Sequence, residues 1–356
     1  MKIATIVGAR PQFIKAAAVS RVLRKKKDVR EVLIHTGQHF DDNMSKIFFE
    51  ELEIPQPDHH LGIHSLKHGA MTGRMLEAIE EVLLKELPDV VMVYGDTNST
   101  IAGALAAKKL HLKVAHVEAG MRSFNMRMPE EINRVLTDRI SDLLFCSTKD
   151  AEQNLKREGY EHLDCRIIRS GDVMYDAALY YAERAQRSSD ILKRIPFSDF
   201  VLCTLHREEN TDNEATLKRI ISALAKIHSE IPVILPLHPR TRKNFDRFGI
   251  TSPLHLIEPI GYLDMLTLTS HSKMVITDSG GLQKEAFFFH KHCITLREET
   301  EWVELVDLGI NRLAGTKEKK ILKAFHSFIE KPFKTKASPY GKGDASEKIV
   351  KALLAT

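Results

Sequence analysis

The most constraining feature of this sequence is an alternation of short apolar runs with longer amphipathic stretches. The runs fall at residues 3–7, 31–35, 90–94, 114–117, 143–146, 200–205, 233–235, 274–277 and 293–296. They are rich in Val, Ile and Leu on both faces, which is typical of parallel strands covered by helices on each side. The stretches between them, such as residues 71–87 and 99–110, have helical spacing. The alternation predicts βαβ units with right-handed crossovers, and therefore an α/β fold with doubly wound parallel sheets.

The length of the chain predicts two such domains, because it has 356 residues and a domain averages about 150. A polar segment at residues 183–199 separates the two series of apolar runs and is a candidate linker. We expect an N-terminal domain at residues 1–180 and a C-terminal domain at 181–338. The helix of residues 339–356 can pack on either domain, and we favour the N-terminal one. Ligands of doubly wound folds bind beyond the carboxyl ends of the strands, so we expect a cleft between the domains there.

Composition excludes several classes of protein. With 43% apolar residues and a net charge of +4, the chain is not a disordered, collagenous or coiled-coil protein. No apolar run approaches the roughly 20 residues that span a bilayer. Nucleic-acid binding would require a basic face with interleaved aromatic residues, and the sequence shows none. The four cysteines are scattered, without metal-binding spacing. We expect a soluble, cytoplasmic protein without membrane or nucleic-acid partners.

The first candidate site follows the first strand. Gly8 lets the backbone approach a ligand closely, and the start of the next helix favours an anion. Arg10 and Lys15 add positive charge there. The second and third glycines of the dinucleotide-binding fingerprint are absent. A tight turn with two surface cations remains an equally good interpretation.

A stronger phosphate signal lies in the second half of the chain. Ser279, Gly280 and Gly281 follow an apolar strand and open a helix, an arrangement that presents free backbone N–H groups to a diphosphate. Glu285 lies about one turn further on, where its carboxylate can accept hydrogen bonds from ribose hydroxyls. The alternative is a serine N-cap with glycines for close packing.

Two further strands of the C-terminal half end in basic residues. His206 ends the first of them, and His238 with Arg240 ends the next. The carboxyl ends of neighbouring parallel strands share one sheet edge, so these groups can face the same phosphates.

Acidic residues end two strands of the N-terminal half. Asp96 and Glu118 follow neighbouring runs, and Glu130 and Glu131 begin a helix. Helix capping explains one of the last two without any function. Paired carboxylates are what proton transfer at carbon requires, because one group removes a proton and another returns it. A nucleophile triad is disfavoured because no Gly-x-Ser-x-Gly elbow is present. The histidine pairs 35/39 and 59/60 lack a complete set of metal ligands.

Together these motifs resemble a known family, the non-hydrolysing UDP-N-acetylglucosamine 2-epimerases of bacteria and archaea. The resemblance covers nearly the whole chain. It is carried, in order, by residues 8–11 with Lys15, 37–39, 94–97, 116–122, 129–134, 278–285 and 339–343.

The resemblance implies two Rossmann-like domains of the GT-B type and a UDP-sugar ligand. It implies inversion at C2 of the sugar without a metal, nicotinamide or other cofactor, through a 2-acetamidoglucal formed as UDP departs from C1. The implied catalytic residues are Asp96, Glu118, Glu130 and His206. The implied UDP-binding residues are Arg10, Lys15, His238, Arg240, Ser279, Gly280, Gly281 and Glu285. Family members are typically homodimers.

Two segments depart from the familiar pattern of the family. Residues 300–304 read Thr-Glu-Trp-Val-Glu in place of Thr-Glu-Arg-Pro-Glu. Residues 66–69 lack the glutamine-containing segment that bacterial members use for a second, activating UDP-N-acetylglucosamine. Together with the sequences of residues 12–13 and 122–128, these departures more closely resemble one branch of the family. That branch acts on UDP-2,3-diacetamido-2,3-dideoxy-glucuronate for the synthesis of surface polysaccharide, including lipopolysaccharide.

The additional carboxylate and acetamido group of that sugar call for an additional cation or hydrogen-bond donor. Arg122, Arg127 and Arg134 are the candidates near the sugar, and Arg127 is preferred because Arg122 also occurs in the parent family. Three alternatives remain open. They are a GT-B glycosyltransferase, a hydrolysing epimerase, and a UDP-sugar-binding regulator without catalytic activity.

Overall fold

The structure is a computed structural model that describes residues 1–38 and 56–356, except for the side chain of Arg10. Within the described residues the chain divides into two compact units. Unit 1 comprises Met1–Leu179 and Ser338–Thr356, and unit 2 comprises Tyr180–Ala337. Each unit is built on one parallel sheet with helices on its faces. The predicted α/β fold with two Rossmann-like units is therefore confirmed.

Unit 1 contains a seven-stranded sheet in the order β3-β2-β1-β4-β5-β6-β7. Its strands are β1 (Lys2–Val7), β2 (Arg30–His35), β3 (His59–His60), β4 (Val90–Tyr94), β5 (Lys113–Ala119), β6 (Leu143–Cys146) and β7 (Arg166–Arg169). Its helices are α1 (Arg10–Leu23), α2 (His68–Glu86), α3 (Asn98–Lys109), α4 (Pro129–Ile140), α5 (Lys149–Arg157) and α6 (Val173–Ser188), which contains the boundary between the units. A short 3-10 turn spans Tyr160–His162.

Unit 2 contains a six-stranded sheet in the order β10-β9-β8-β11-β12-β13. Its strands are β8 (Val201–Thr204), β9 (Val233–Pro236), β10 (His255–Ile257), β11 (Met274–Thr277), β12 (His292–Thr295) and β13 (Asn311–Leu313). Its helices are α7 (Glu208–Thr211), α8 (Glu214–Glu230), α9 (Pro239–Arg247), α10 (Tyr262–His271), α11 (Gly280–Phe288), α12 (Val303–Asp307) and α13 (Glu318–Phe328).

The strand order of both sheets places the ligand-binding edge. Counted along the chain, the first strand of each sheet is flanked by the second and the fourth. The order reverses at this point, and doubly wound sheets bind ligands beside it, beyond the carboxyl ends of the strands. In unit 1 the point lies between β1 and β4, and in unit 2 between β8 and β11.

The cores explain why these residues form these elements. In unit 1, Ile6 and Val93 of the sheet are fully buried in a cluster with Ile79 of α2. In unit 2, Val201 and Ile276 are buried in a cluster that also contains residues of α8. Burial of such a side chain stabilises the fold by about 1.5–3 kcal/mol, so the apolar spacing fixes which face of each helix meets the sheet.

The segment predicted as a linker, residues 183–199, is not a separate connection. It contains the end of α6 and a 3-10 turn at Ile191–Lys193. Ile191 and Ile195 are buried in a core cluster with Phe200 and Leu202 of unit 2. The polar composition that suggested a linker reflects the exposed face of this segment, which belongs to unit 2.

The end of the chain lies in unit 1. Helix α14 (Ala345–Leu353) packs against α1. The N–H of Asp172 donates to the carbonyl oxygen of Tyr340 at 3.0 Å, and the Asp176 carboxylate accepts from the N–H of Ser346 at 2.7 Å. No described helix is long and apolar enough to cross a bilayer.

Candidate active site

The turn after β1 is built around Gly8 and Gln12. A Cβ on Gly8 would lie 2.0 Å from Thr36 Oγ1 and 2.2 Å from Ser99 Oγ, so only glycine fits. The buried Gln12 side chain accepts from the N–H groups of Gly8 at 2.8 Å and Ala9 at 3.0 Å. Its amide nitrogen donates to the carbonyl oxygen of Tyr94 at 2.7 Å. The turn that carries Arg10 is therefore tied to the end of β4.

Lys15 and Glu118 form an ion pair at this edge of the sheet. Their side chains are only 10% and 12% exposed, so the pair is weakly screened by solvent. Gly95 adopts φ +62°, and a Cβ there would lie 3.3 Å from Glu118 Oε2 and 3.4 Å from Lys15 Nζ. The cation predicted to bind an anion is thus the partner of a predicted catalytic acid.

Glu118 lies on a β-bulge. The pairing of β5 with β6 shifts between Val117 and Ala119, which leaves Glu118 as the extra residue. Its φ is +76°, a left-handed conformation that strains residues other than glycine. Strained backbone and bulges are concentrated at functional sites. The bulge aims this carboxylate at the carboxyl edge of the sheet instead of leaving it on a regular pleat.

Asp96 is held by residues of α4. Its carboxylate accepts from Arg134 through Nε at 3.2 Å and through Nη2, and Asn133 donates to its backbone carbonyl at 3.0 Å. Burial raises the pKa of Asp96; the Arg134 charge opposes this effect, and the Glu118 charge adds to it. The Glu118 charge thus acts on the ionisation of Asp96, as expected for paired acids in proton transfer.

The two glutamates at the start of α4 have different surroundings. Glu131 is buried and accepts from the N–H groups of Ser123 and Phe124, both at 2.9 Å, and from Arg134 at 2.8 Å. Burial acts to raise its pKa, but these donors outweigh burial and the pKa is lowered. Glu131 therefore orders the loop before α4. Glu130 is exposed on the first turn, and its catalytic role stays a prediction.

A largely buried network of hydrogen bonds holds the end of β4 and the residues that follow β5. His116 bonds the carbonyl oxygen of Gly95 and the carboxylate of Asp138, both at 2.7 Å. Arg122 donates to Asp138 and, through two nitrogens, to Glu158, each bond at 2.7 Å. Burial acts to raise the pKa of Asp138, but His116 and Arg122 lower it.

The contacts of Arg122 favour a structural role over a sugar contact. Its side chain is 1% exposed, and a buried guanidinium held by two carboxylates has little freedom to meet a ligand. Arg127 lies in the loop before α4 and is exposed. Arg134 contacts Asp96 directly.

In unit 2, His206 follows β8 and contacts Asp278, which follows β11. The ring Nδ1 lies 3.1 Å from the Asp278 carboxylate, and the ring is 41% exposed. Asp278 itself is fully buried and accepts from the backbone N–H groups of His206 and Arg207 at 3.0 Å. Burial acts to raise the pKa of Asp278, but His206 and the amide donors lower it. The acid thus fixes His206 at the order-reversal point of this sheet.

The amino end of α11 lies beside His206. Ser279 is the N-cap residue, but its side chain caps no backbone N–H. The first N–H groups of a helix have no partner within it, and here the alternative of a serine cap is not realised. The N-terminus also carries the positive end of the helix dipole. These are the features of an anion site.

The other predicted UDP-binding residues lie on neighbouring elements. His238 precedes α9, and its ring is 5.9 Å from that of His206 between centroids. Arg240 in the first turn of α9 pairs with Glu208 and lies 3.6 Å from Asp212. Glu285 is buried in α11. The side chain of Arg10 and the whole of His39 lie outside the described residues.

Three supporting residues escaped the sequence reasoning: Gln12, Asn133 and Asp138. Each makes a contact with a residue 18 to 88 positions away, so its spacing along the chain does not reveal its role. Within residues 1–38 and 56–356, no three His, Cys, Asp or Glu side chains converge to hold a metal ion.

Comparison with known proteins decides the family. A family model described as UDP-N-acetylglucosamine 2-epimerase matches residues 21–354. The chain belongs to the UDP-N-acetylglucosamine 2-epimerase family. It is 53% identical to the UDP-2,3-diacetamido-2,3-dideoxy-D-glucuronate 2-epimerase of Pseudomonas aeruginosa, over 99% of each chain. It is 51% identical to a UDP-N-acetylglucosamine 2-epimerase homolog of Methanococcus maripaludis, again over 99% of each.

A solved member of the epimerase family has the same fold. The UDP-GlcNAc 2-epimerase of Methanocaldococcus jannaschii, in complex with UDP-GlcNAc and UDP, superposes with a TM-score of 0.91. It is 43% identical, and the match covers all of both chains. The predicted family and fold are thus confirmed, and the relatives are named as epimerases, which are isomerases.

Proposed function

We propose that this chain is a non-hydrolysing 2-epimerase of a UDP-2-acetamido sugar. A base removes the C2 proton while the C1–O bond to UDP breaks, which leaves a C1–C2 double bond. A proton is then delivered to C2 from the opposite face, and UDP re-adds at C1. The sugar leaves with inverted C2, and no bond to water is formed.

The observation that carries the proposal is the pairing of two acids with two fixed cations. Asp96 pairs with Arg134, and Glu118 pairs with Lys15, at the carboxyl edge of one sheet. Removing and returning a proton at carbon needs two groups whose proton affinities differ. Their different partners and the raised pKa of Asp96 support this division of labour.

The diphosphate is assigned to unit 2. Its charge grows as the C1–O bond breaks, and donors preorganised around that charge lower the barrier. The uncapped amino end of α11 and the ring of His206 supply such donors. Two relatives solved with UDP-GlcNAc support a UDP-sugar as the ligand.

For the substrate we propose UDP-2,3-diacetamido-2,3-dideoxy-glucuronate, converted to its manno isomer for surface polysaccharide. The support is the 53% identity to an epimerase of that name. The exposed Arg127 is the proposed partner of the uronate carboxylate. Arg127→Ala should lose activity on the uronate while sparing activity on UDP-GlcNAc. Equal loss on both, or no loss compared with the exposed control Arg157→Ala, would refute this role.

The decisive experiment follows the C1 and C2 protons of each nucleotide sugar by NMR in D2O. We expect the manno isomer with deuterium at C2 and no net release of UDP. Exchange on the uronate alone supports the narrower substrate, and exchange on UDP-GlcNAc alone refutes it. If neither nucleotide sugar shows exchange at C2, the proposed epimerase activity is refuted and a UDP-sugar-binding protein is favoured.

The rival activities give different products. A hydrolysing epimerase accumulates UDP and free sugar, whereas a glycosyltransferase consumes the donor only when an acceptor is present. Asp96→Asn separates catalysis from binding. It should reduce turnover by about 10²- to 10⁴-fold and leave the UDP affinity unchanged. Retained turnover would show that Asp96 is not a catalytic acid.

We also propose that the protein is a homodimer that uses α4 and the loop before it. Ile132 and Leu136, four residues apart on α4, are 41% and 50% exposed, and Phe124 and Met126 of the loop are 74% and 59% exposed. Exposed large apolar side chains in one stretch are typical of interfaces. Leu136→Glu should shift the mass in light scattering to a monomer, whereas the apolar control Leu354→Glu, at the end of α14, should not. A wild-type monomer would refute the proposal.

A further inference from the structure

Trp302, the only tryptophan of the chain, lies against the amino end of α11. It is 7% exposed, and its indole Nε1–H donates to the carbonyl oxygen of Gly280 at 2.9 Å. Trp302 belongs to the segment that departs from the familiar pattern of the family. The contact is thus a feature of this sequence at the site proposed for the diphosphate.

The hydrogen bond acts on a peptide group that can bind an anion. The carbonyl of Gly280 and the N–H of Gly281 belong to the same planar peptide unit. A donor bound to the carbonyl oxygen fixes the plane and polarises the N–H, which becomes a stronger donor. Gly281 is the second residue of α11, so its N–H has no partner within the helix. Nothing described lies within 4 Å of where a Cβ on Gly281 would be.

Lys284 completes the arrangement. Its side chain is 2% exposed, and its Nζ lies 4.0 Å from the centroid of the Trp302 ring. A cation over the face of an indole is attracted by the ring, and it draws electron density away from the Nε1–H. Because the ammonium is buried, solvent screens its field weakly. Lys284 therefore strengthens the bond to Gly280.

We infer that Trp302 and Lys284 are positioning residues for the diphosphate, acting through the peptide between Gly280 and Gly281. The inference rests on the proposed function, because it assumes that this end of α11 binds the diphosphate of UDP. Lys284 polarises the indole, the indole orients and polarises the peptide, and the Gly281 N–H meets the phosphate.

The test measures the affinities of UDP and UMP by calorimetry. Trp302→Phe keeps an aromatic face for Lys284 but loses the N–H, so it should weaken UDP binding about 3- to 10-fold, as loss of one hydrogen bond predicts. Lys284→Met removes the charge and should weaken UDP binding to a similar extent. Lys284→Arg keeps the charge and should bind UDP nearly as tightly as the wild type. UMP has one phosphate fewer, so its affinity should change less.

Trp302 also supplies an optical readout. Binding of UDP to the wild type should change the tryptophan emission, and Lys284→Met should change the emission before UDP is added. The matched control is Lys331→Met, because Lys331 lies over the ring of Phe328 at 5.7 Å in the same unit. That variant should match the wild type in emission and in both affinities.

The outcomes separate this inference from the proposed function. A wild type that does not bind UDP refutes the proposed function. A wild type that binds UDP, with Trp302→Phe and Lys284→Met binding as tightly as Lys331→Met, overturns the inference alone. Variants with lower thermal stability but an unchanged ratio of UDP to UMP affinity also overturn it, because the pair would then act only in folding.

Discussion

The side-chain amide of Gln12 donates to the carbonyl oxygen of Tyr94 at 2.7 Å, which joins α1 to the end of β4 at the order-reversal point of the sheet. The same nitrogen donates to Thr100 Oγ1 at 3.0 Å, while the amide oxygen accepts from Gly8 and Ala9. A single buried residue therefore sets the spacing between the turn of Arg10 and the strand end that carries Asp96.

Gln12→Glu tests this link. A carboxylate keeps an oxygen that can accept from Gly8 and Ala9, but it loses the N–H groups that donate to Tyr94 and Thr100. We expect a lower melting temperature near neutral pH, with a loss of about 1–3 kcal/mol for the unpaired groups, and reduced turnover. Acidification should recover part of the stability difference, since the introduced carboxyl group can donate again once it is protonated. Gln186→Glu on the exposed face of α6 is the control. A stability difference that is independent of pH would contradict the explanation.

Arg134→Met should change the pH dependence of catalysis. Burial already raises the pKa of Asp96. The charges of Arg134 and Lys15 oppose this effect, and the charge of Glu118 adds to it. Removing the Arg134 charge disfavours the ionised carboxylate, so the pKa rises further. The limb of the kcat/KM profile that reports Asp96 should move to higher pH. Arg139→Met on the same helix should leave that limb in place. If the limb does not move in Arg134→Met, the pH profile does not report the ionisation of Asp96.

Glu86 links stability to acid pH. Hydrogen bonds from Lys2 and His59 lower its pKa to about 2. A lowered pKa in the folded state means that the contribution is fully present above the ordinary pKa of 4.5 and is lost as the pH falls toward 2. Glu86→Gln should therefore destabilise the protein at pH 7, and the difference should shrink below about pH 4.5.

Urea unfolding across this pH range measures that difference. Glu77→Gln is the control, because Glu77 and its partner Arg74 are 66% and 69% exposed, and exposed pairs contribute little. A Glu86→Gln difference that stays constant down to about pH 3 would mean that the charge of Glu86 is irrelevant.

Gly8→Ala should be strongly destabilising, because its Cβ would overlap Thr36 Oγ1 and Ser99 Oγ. Gly73→Ala is the matched control within α2, where nothing described lies within 4 Å of the added carbon. The control should gain about 0.5–1 kcal/mol from helix propensity. Thermal unfolding distinguishes the two, and equal melting temperatures would mean that the turn after β1 is free to move.

The sequence predicts the sheets well because their strands are apolar on both faces. The run at residues 90–94 coincides with β4, and that at 143–146 with β6. Residues 183–199 have the composition of a linker but pack in unit 2, since the few apolar side chains that anchor them there lie among many polar ones. Periodicity reports which face is buried, but it does not say what covers that face.

The sequence alone singles out the acids and glycines of the candidate site, but it does not reveal the residues that hold them in place. Asp96, Glu118 and Gly281 are visible because each follows a strand. The contact of the Lys284 ammonium with the Trp302 ring joins residues 18 positions apart by way of β12. Glu130 and Glu131 look equivalent in sequence, and only the loop folded over Glu131 separates them.

The bulge at Glu118 makes the site sensitive to chain length as well as to residue identity. Side chains alternate between the two faces of a strand, so deleting one residue within 117–119 would restore a regular ladder with β6 and leave the sheet intact. The carboxylate would then be lost from the edge or turned to another face. We therefore expect an insertion or deletion at this strand to abolish the proposed epimerisation while sparing the fold.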